Sequence, residues 1–217
     1  IELLEAELEP GPGEKARRYI GKVGEAVSRL DELIETTVQM LRMGANVERI
    51  YALERVDMRE LVERIRNRFG DGTRRIRNLV PQGLGDLLLR RRGLEIVIEN
   101  LVSNALKHSG DSSGIDVGAS LIRDRRAGSG GTLLLVKVED RGEGIPEGEL
   151  EKIFDPFYRR ARSISSDGIG LGLALVKSVI TIMNGEINIK SAVGEGTTVS
   201  FTVPVGGEAY EAPETIG

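Results

Sequence analysis

Two asparagines four residues apart, Asn100 and Asn104, followed one turn later by Lys107 and His108, are the side chains of this sequence whose types and spacing best suit chemistry. Read as a helix, the four share one side, while Val97, Leu101 and Ala105 share another. Amide oxygens can ligate magnesium or orient its waters, and an ammonium can meet phosphate oxygens, so the set suits a hydrated metal carried on a polyphosphate. The same amides could instead cap or hydrogen-bond a turn with no ligand involved. Further on, Gly168, Gly170 and Gly172 alternate just ahead of a helix. Small residues there let backbone N–H groups and a helix N-terminus approach a phosphate closely. They do not form a dinucleotide fingerprint, because no strand directly precedes them and the spacing differs; nor does the chain contain a Gly-Lys-Ser or Gly-Lys-Thr phosphate loop.

These groups need elements to hold them. Residues 1–8 read as the end of a helix with Leu3, Leu4 and Leu8 on one side, and the Pro and Gly residues of 9–13 force a turn. From Glu14 onward Ile20, Val23, Val27, Leu30, Ile34, Thr37 and Leu41 step alternately by three and four, a heptad seam interrupted only by Thr37. A hairpin of this kind buries its seam in a four-helix bundle made by two copies, so a homodimer is expected; the alternative is a hairpin packed on its own C-terminal domain. Ala45 to Leu53 reads as a connector, and a short extended piece near Val56 leads to Asp57-Met58-Arg59-Glu60. That spacing fits a capping box in which Asp57 accepts from the backbone and Glu60 reaches back, opening a helix that buries Leu61, Val62, Ile65 and Phe69. A strand is expected over Arg74 to Val80, then the apolar Leu87-Leu88-Leu89 ahead of the asparagine helix. Strands are expected at Ile115 to Ile122 and Thr132 to Val138, a short acidic helix at Glu147 to Ile153, a helix from the glycine cluster to about Met183, and strands at Glu186 to Ser191 and Thr197 to Pro204.

Composition sets the bounds. The 217 residues, 40% hydrophobic and 29% charged, are ordinary for a soluble chain of one or two domains. No apolar run approaches the roughly 18 residues that span a bilayer, and no signal-peptide pattern opens the chain, which predicts a cytoplasmic location, with any membrane link lying upstream. With no cysteine and one histidine, thiolate and histidine-cluster metal sites are excluded. A net charge of -4 argues against a nucleic-acid partner, and the one basic run, Arg90-Arg91-Arg92, reads as a solvated helix start.

Taken in order, the polar and glycine clusters match the boxes of one superfamily. Asn100 to His108 resembles the N box of sensor histidine kinases, Asp140-Arg141-Gly142-Glu143-Gly144-Ile145 the G1 box, Phe154-Asp155-Pro156-Phe157 the F box, Gly168 to Leu173 the G2 box, and Gly194-Glu195-Gly196-Thr197-Thr198 the last glycine box. The resemblance covers about residues 54–205. Residues 1–53 look like part of the family's dimerisation and phosphotransfer hairpin, and 206–217 like a polar tail. The fold implied is α+β, a two-layer α/β sandwich of Bergerat type with a mixed sheet of about five strands and about three helices, preceded by the dimerising hairpin.

The resemblance also implies roles. Asp140 would accept from the amino group of adenine, Asn104 would ligate magnesium with Asn100 orienting its waters, and Lys107 and His108 would face the phosphates of ATP. Gly142 and Gly144 would let the backbone close on the base beside Ile145, and Thr197 or Thr198 would support the adenine end. Tyr158, Arg159, Gly168, Ile169, Gly170, Leu171, Gly172 and Leu173 would line or close the site, 159–172 serving as its lid, with Phe154 and Phe157 packing the hinge. The family transfers the γ-phosphoryl group of MgATP to a histidine and then to an aspartate of a response regulator. No H box, a His followed by Glu or Asp, a hydrophobic residue, Arg, Thr, Pro and Leu, occurs in this chain; the expectation is that it lies just upstream of Ile1. The competing reading is a degenerate ATP-binding regulatory module. Gyrase-, chaperone- and repair-type relatives carry a glutamate where this chain has Asn100.

Overall fold

A computed structural model describes residues 52–70, 75–110, 113–124, 131–158 and 170–206, together with scattered helical positions between 16 and 27. Of the expected heptad seam, Val23 and Val27 are 56% and 43% exposed. Leu30, Ile34, Thr37 and Leu41 lie outside the described residues.

The order is β1 (Glu54–Asp57), α1 (Met58–Arg68), β2 (Ile76–Asn78), β3 (Asp86–Leu89), α2 (Arg91–His108), β4 (Ile115–Arg123), β5 (Thr132–Asp140), α3 (Gly172–Ile182), β6 (Glu186–Ala192) and β7 (Gly196–Pro204). Five strands form one sheet in the order β2-β4-β5-β7-β6, parallel between β2 and β4 and antiparallel elsewhere, which is the mixed sheet the resemblance implies. Alternation assigns its faces: Ile115, Val117, Val136, Val138, Val199 and Phe201 point inward, and Lys137, Glu139 and Lys190 point out. The inner face takes α2 and α3, whose Leu94, Val97, Ile98, Leu101, Leu175, Val176, Val179 and Ile180 complete a continuous core. Helix α1 joins it through Met58, Leu61, Val62 and Ile65, a stripe at three- and four-residue spacing.

Several local expectations need correction. Asp57 does cap α1, accepting from the Glu60 N–H at 3.0 Å, but the Glu60 carboxylate pairs with Arg64 at 2.7 Å one turn on, so the capping box is half formed. Arg90 is not solvated: it is 6% exposed, and its Nη1 donates to the Met183 carbonyl at 3.4 Å, placing a cation on the C-terminal end of α3. Leu87-Leu88-Leu89 is strand β3, paired with β1 in a separate two-stranded sheet, to which the Gly206 N–H ties the end of β7 through the Leu88 carbonyl. The strand expected over 74–80 is shorter because Asn78 turns its side chain to the Arg59 carbonyl and the Val80 N–H, diverting the backbone from the ladder. The acidic segment after Pro146 forms two single 3₁₀ turns, Glu147–Glu149 and Lys152–Phe154, too short to offset the cost of nucleating an α-helix. Phe157 packs no core: it is 65% exposed with φ +66°, whereas Phe154 lies half-buried beneath the Lys177 ammonium, 5.7 Å from the ring centre.

Two glycines fix how α3 sits. A Cβ at Gly93 of α2 would overlap the Met183 sulfur, and one at Gly185 would overlap the Thr202 backbone carbonyl. A thioether can swing aside and alanine favours a helix, but a strand carbonyl cannot move. Gly185→Ala should therefore cost about 1–3 kcal/mol in urea unfolding, and Gly93→Ala clearly less; equal costs would contradict this packing.

Candidate functional site

Helix α2 carries both ends of the site on one element. Its inward face is apolar, and Asn100, Asn104 and His108 are half-buried along its edge. At about 1.5 Å per residue, Asn100 and His108 stand roughly 12 Å apart along the axis, a span that a base, a sugar and a phosphate chain can bridge.

At the Asn100 end, the Asn100 Nδ2 donates to the Ile96 carbonyl at 2.8 Å, which pins the amide and leaves Oδ1 directed across to α3. A Cβ at Gly172, the first residue of α3, would lie 3.4 Å from Asn100 Oδ1 and 3.7 Å from both amide atoms of Asn104. Glycine there keeps the helix start open to the amides. Leu171 precedes α3 without a side-chain cap, and the first turn holds no acidic residue. The first N–H groups of α3 thus lack the side-chain partner that usually satisfies a helix start, and the helix dipole adds partial positive charge. Two amide oxygens beside such an end can hold an oxygen-rich anion together with a hard cation. Among the described residues no group of three or more His, Asp or Glu side chains could hold a metal, so a magnesium ion here would take amide, phosphate and water oxygens.

At the His108 end, Asp140 closes β5 opposite Thr197 of β7. Its Oδ1 accepts from the Gly142 N–H at 2.8 Å, and the Thr197 N–H also donates to the carboxylate. Burial raises the Asp140 pKa above the ordinary aspartate value; the two backbone donors and the nearby His108 oppose the rise without cancelling it. His108 faces this end, not the amide end: its Nδ1 lies 3.1 Å from Glu143 Oε1, and its carbonyl accepts from the Glu143 N–H at 3.2 Å. Lys107 is exposed one turn beyond Asn104.

The glycines of this end approach protein backbone. A Cβ at Gly142 would overlap the His108 carbonyl, one at Gly144 (φ +67°) the Ala192 carbonyl, and one at Gly196 (φ +106°) the Asp140 carbonyl. Gly194 N–H bonds the Glu143 carbonyl at 2.9 Å, and Ile145 N–H bonds Ser191 Oγ at 2.8 Å, stitching the loop after β5 to the turn between β6 and β7. Thr197 shares the inward face with Asp140, while Thr198 pairs with Glu139 and Lys190 on the outer face. Thr197, not Thr198, is therefore the threonine on the sheet face of Asp140.

The glycine cluster divides similarly. Leu171 is buried, so its side chain serves the core and only its backbone can meet a ligand, whereas Leu173 is half-buried against the core. Gly170 (φ +77°) accepts from the Phe157 N–H at 3.0 Å, and a Cβ there would overlap the Tyr158 carbonyl. The two flanks of segment 159–169 are thus joined at their base. Arg159, Gly168 and Ile169 lie outside the described residues.

Sequence reasoning passed over Ser191, Glu143 and Arg75. Arg75 donates to the Ser109, Gly110 and Ser113 carbonyls and holds the chain leaving α2. Ser191 follows Ile187 and Ile189 at period two, a hydroxyl where an inward apolar residue is expected, and that break was the available signal.

The raised Asp140 pKa has a consequence for stability. A carboxyl harder to ionise in the folded state contributes stability below its unfolded pKa and loses it as pH rises through the folded value. The stability of the parent relative to Asp140→Asn should fall as pH rises from about 4; a difference that grows with pH in urea titrations would contradict the burial argument.

Residues 90–207 match the family described as histidine kinase-, DNA gyrase B-, and HSP90-like ATPase. The chain is 34% identical over 190 residues to the alginate biosynthesis sensor protein KinB of Pseudomonas aeruginosa, covering 86% of this chain and 30% of that protein. It is 33% identical over 204 residues to the sensor-like histidine kinase SenX3 of Mycolicibacterium smegmatis, covering 92% of this chain and 50% of that one. The chain therefore spans half or less of these relatives' length. A crystal structure of full-length ShkA in complex with AMPPNP superposes with a TM-score of 0.65 at 24% identity, over 91% of this chain and 40% of that chain, a likeness of fold. The match over residues 90–207, which span the asparagine helix and the glycine loops, places the chain in the histidine kinase-, DNA gyrase B-, and HSP90-like ATPase family, with the catalytic domains of sensor histidine kinases.

Proposed function

We propose that this chain binds MgATP between α2 and the N-terminus of α3 and, within a longer protein, transfers the γ-phosphoryl group to a histidine that this sequence does not contain. The observation that carries the reading is the polarity of the site along α2: a helix start without a side-chain cap facing two amides at one end, and a half-buried carboxylate held by backbone N–H groups at the other. The ionised carboxylate of Asp140 accepts from the exocyclic amino group of adenine, and guanine, offering an acceptor at that position, is rejected. Asn104 would ligate a magnesium ion and Asn100 would orient its waters, and the bound ion would neutralise charge on the phosphate oxygens. The first N–H groups of α3, with Gly172 keeping them accessible, take the phosphate oxygens, and Lys107, exposed one turn beyond Asn104, adds positive charge. The backbone of Gly142 to Ile145 walls the base, and Thr197 completes that edge.

For the transfer, a neutral imidazole nitrogen attacks the γ-phosphorus, the bond to the β-phosphate bridging oxygen breaks, and ADP leaves with that electron pair. The chain contributes position and charge neutralisation, not covalent chemistry. The Phe157 N–H to Gly170 carbonyl bond ties the chain entering α3 to the end of the turn after Phe154. The acceptor helix comes from a homodimer, for which the exposed Val23 and Val27 offer a seam to cover, and the phosphoryl group passes on to a receiver-domain aspartate. Among the described residues no helix is long and apolar enough to cross a membrane; we place the site on the cytoplasmic side, where ATP is available.

Calorimetric titration with ATP and GTP, with and without magnesium, tests this reading. ATP should bind selectively. Asp140→Ala should weaken ATP binding by about 10- to 100-fold, the worth of a hydrogen bond to a charged group, and Asn104→Ala should remove most of the magnesium dependence. A folded chain that binds neither nucleotide, or binds both equally, contradicts it.

A further inference from the structure

Ser191, on β6, stands where the loop after β5 meets the start of β7. Its Oγ accepts from the Ile145 N–H at 2.8 Å, donates to the Gly196 carbonyl at 2.8 Å, and lies 2.8 Å from Thr197 Oγ1. A serine hydroxyl has one proton and two lone pairs. With the proton committed to Gly196 and one lone pair to Ile145, the remaining lone pair can only accept, so the Thr197 hydroxyl must be the donor between them. Thr197 has then used its single proton. Its hydroxyl presents only lone pairs elsewhere, on the sheet face that Thr197 shares with Asp140, to whose carboxylate the Thr197 N–H donates.

We propose that Ser191 is a positioning residue that fixes the proton of the Thr197 hydroxyl, making it an acceptor beside the acceptor Asp140, and thereby sharpens the preference for a 6-amino purine over a 6-oxo purine. The proposal rests on the reading that Asp140 receives the base. Two acceptors side by side match the two protons of an exocyclic amino group, directly or through a water that also donates to the ring nitrogen. A 6-oxo base sets its own acceptor against them and is left unpaired, which is the costly half of hydrogen-bond discrimination. Without Ser191, the Thr197 hydroxyl can turn its proton toward the site and pair with a 6-oxo group.

The probes are ATP and inosine triphosphate, which differ at position 6 and in the proton on N1. Calorimetric Kd values are measured for the parent, Ser191→Ala, Thr197→Val and the double variant. The parent should prefer ATP, and Ser191→Ala should reduce the ratio of the two Kd values by about tenfold, the worth of one hydrogen bond. In the Thr197→Val background, Ser191→Ala should leave the ratio unchanged, because its effect passes through that hydroxyl. If Ser191→Ala weakens both nucleotides equally, Ser191 merely braces the turn and the proposal is overturned. Should Ser191→Ala fail to fold, Thr197→Val alone decides: an undiminished preference for ATP overturns the proposal. A parent that binds ATP without preferring it to inosine triphosphate overturns the assigned role of Asp140 and this inference with it, whereas a selective parent with a selective Ser191→Ala overturns this inference alone.

Discussion

The structure depends on one constraint: α2 must be buried on one side and still present amides and a polar C-terminus on its edge. Leu94, Val97, Ile98, Leu101 and Val102 are almost wholly removed from water, which holds the helix against the sheet. Because those positions are fixed, Asn100 and Asn104 cannot turn away from α3, and His108 cannot leave the loop after β5. The separation between the two ends is then the length of the helix between them, a distance no loop movement alters.

Around that spine, backbone contact substitutes for side chains. The loop after β5 lies against the end of α2 at Gly142 and against the β6–β7 turn at Gly144, in approaches that a single added carbon would block. The glycines of this end thus position the carboxylate of Asp140 by letting protein meet protein, and any approach to a base is a consequence. At the other end Gly172 works differently: it removes bulk between two amides and a helix start whose N–H groups lack a side-chain cap. One residue type serves rigidity at one end and access at the other.

Much of this was legible in the sequence because it rests on periodicity and on local chemistry. The burial of α1 and α2, the inward alternation of β4, β5 and β7, and the Asp57 cap all follow from spacing. What was not legible depends on partners distant in sequence. Arg90 reads as a surface cation until the C-terminal carbonyls of α3, 93 residues away, are set above it. His108 reads as a phosphate contact until the Glu143 carboxylate meets its Nδ1. Phe157 reads as packing a hinge beside Phe154, yet its ring sits exposed on a left-handed backbone whose N–H pairs with the Gly170 carbonyl. Thr197 and Thr198 are indistinguishable until the register with Asp140 assigns one to each face of the sheet.

The central claim is that one ligand is read at two separable ends of α2. Amide hydrogen exchange in the presence of adenosine, and then of MgATP, tests it most directly. Adenosine should slow exchange at 142–145 and 196–198 and leave 170–175 unchanged, and MgATP should extend protection to 170–175 at the start of α3. Protection of 170–175 by adenosine alone, or none at 142–145 with either ligand, would contradict the account.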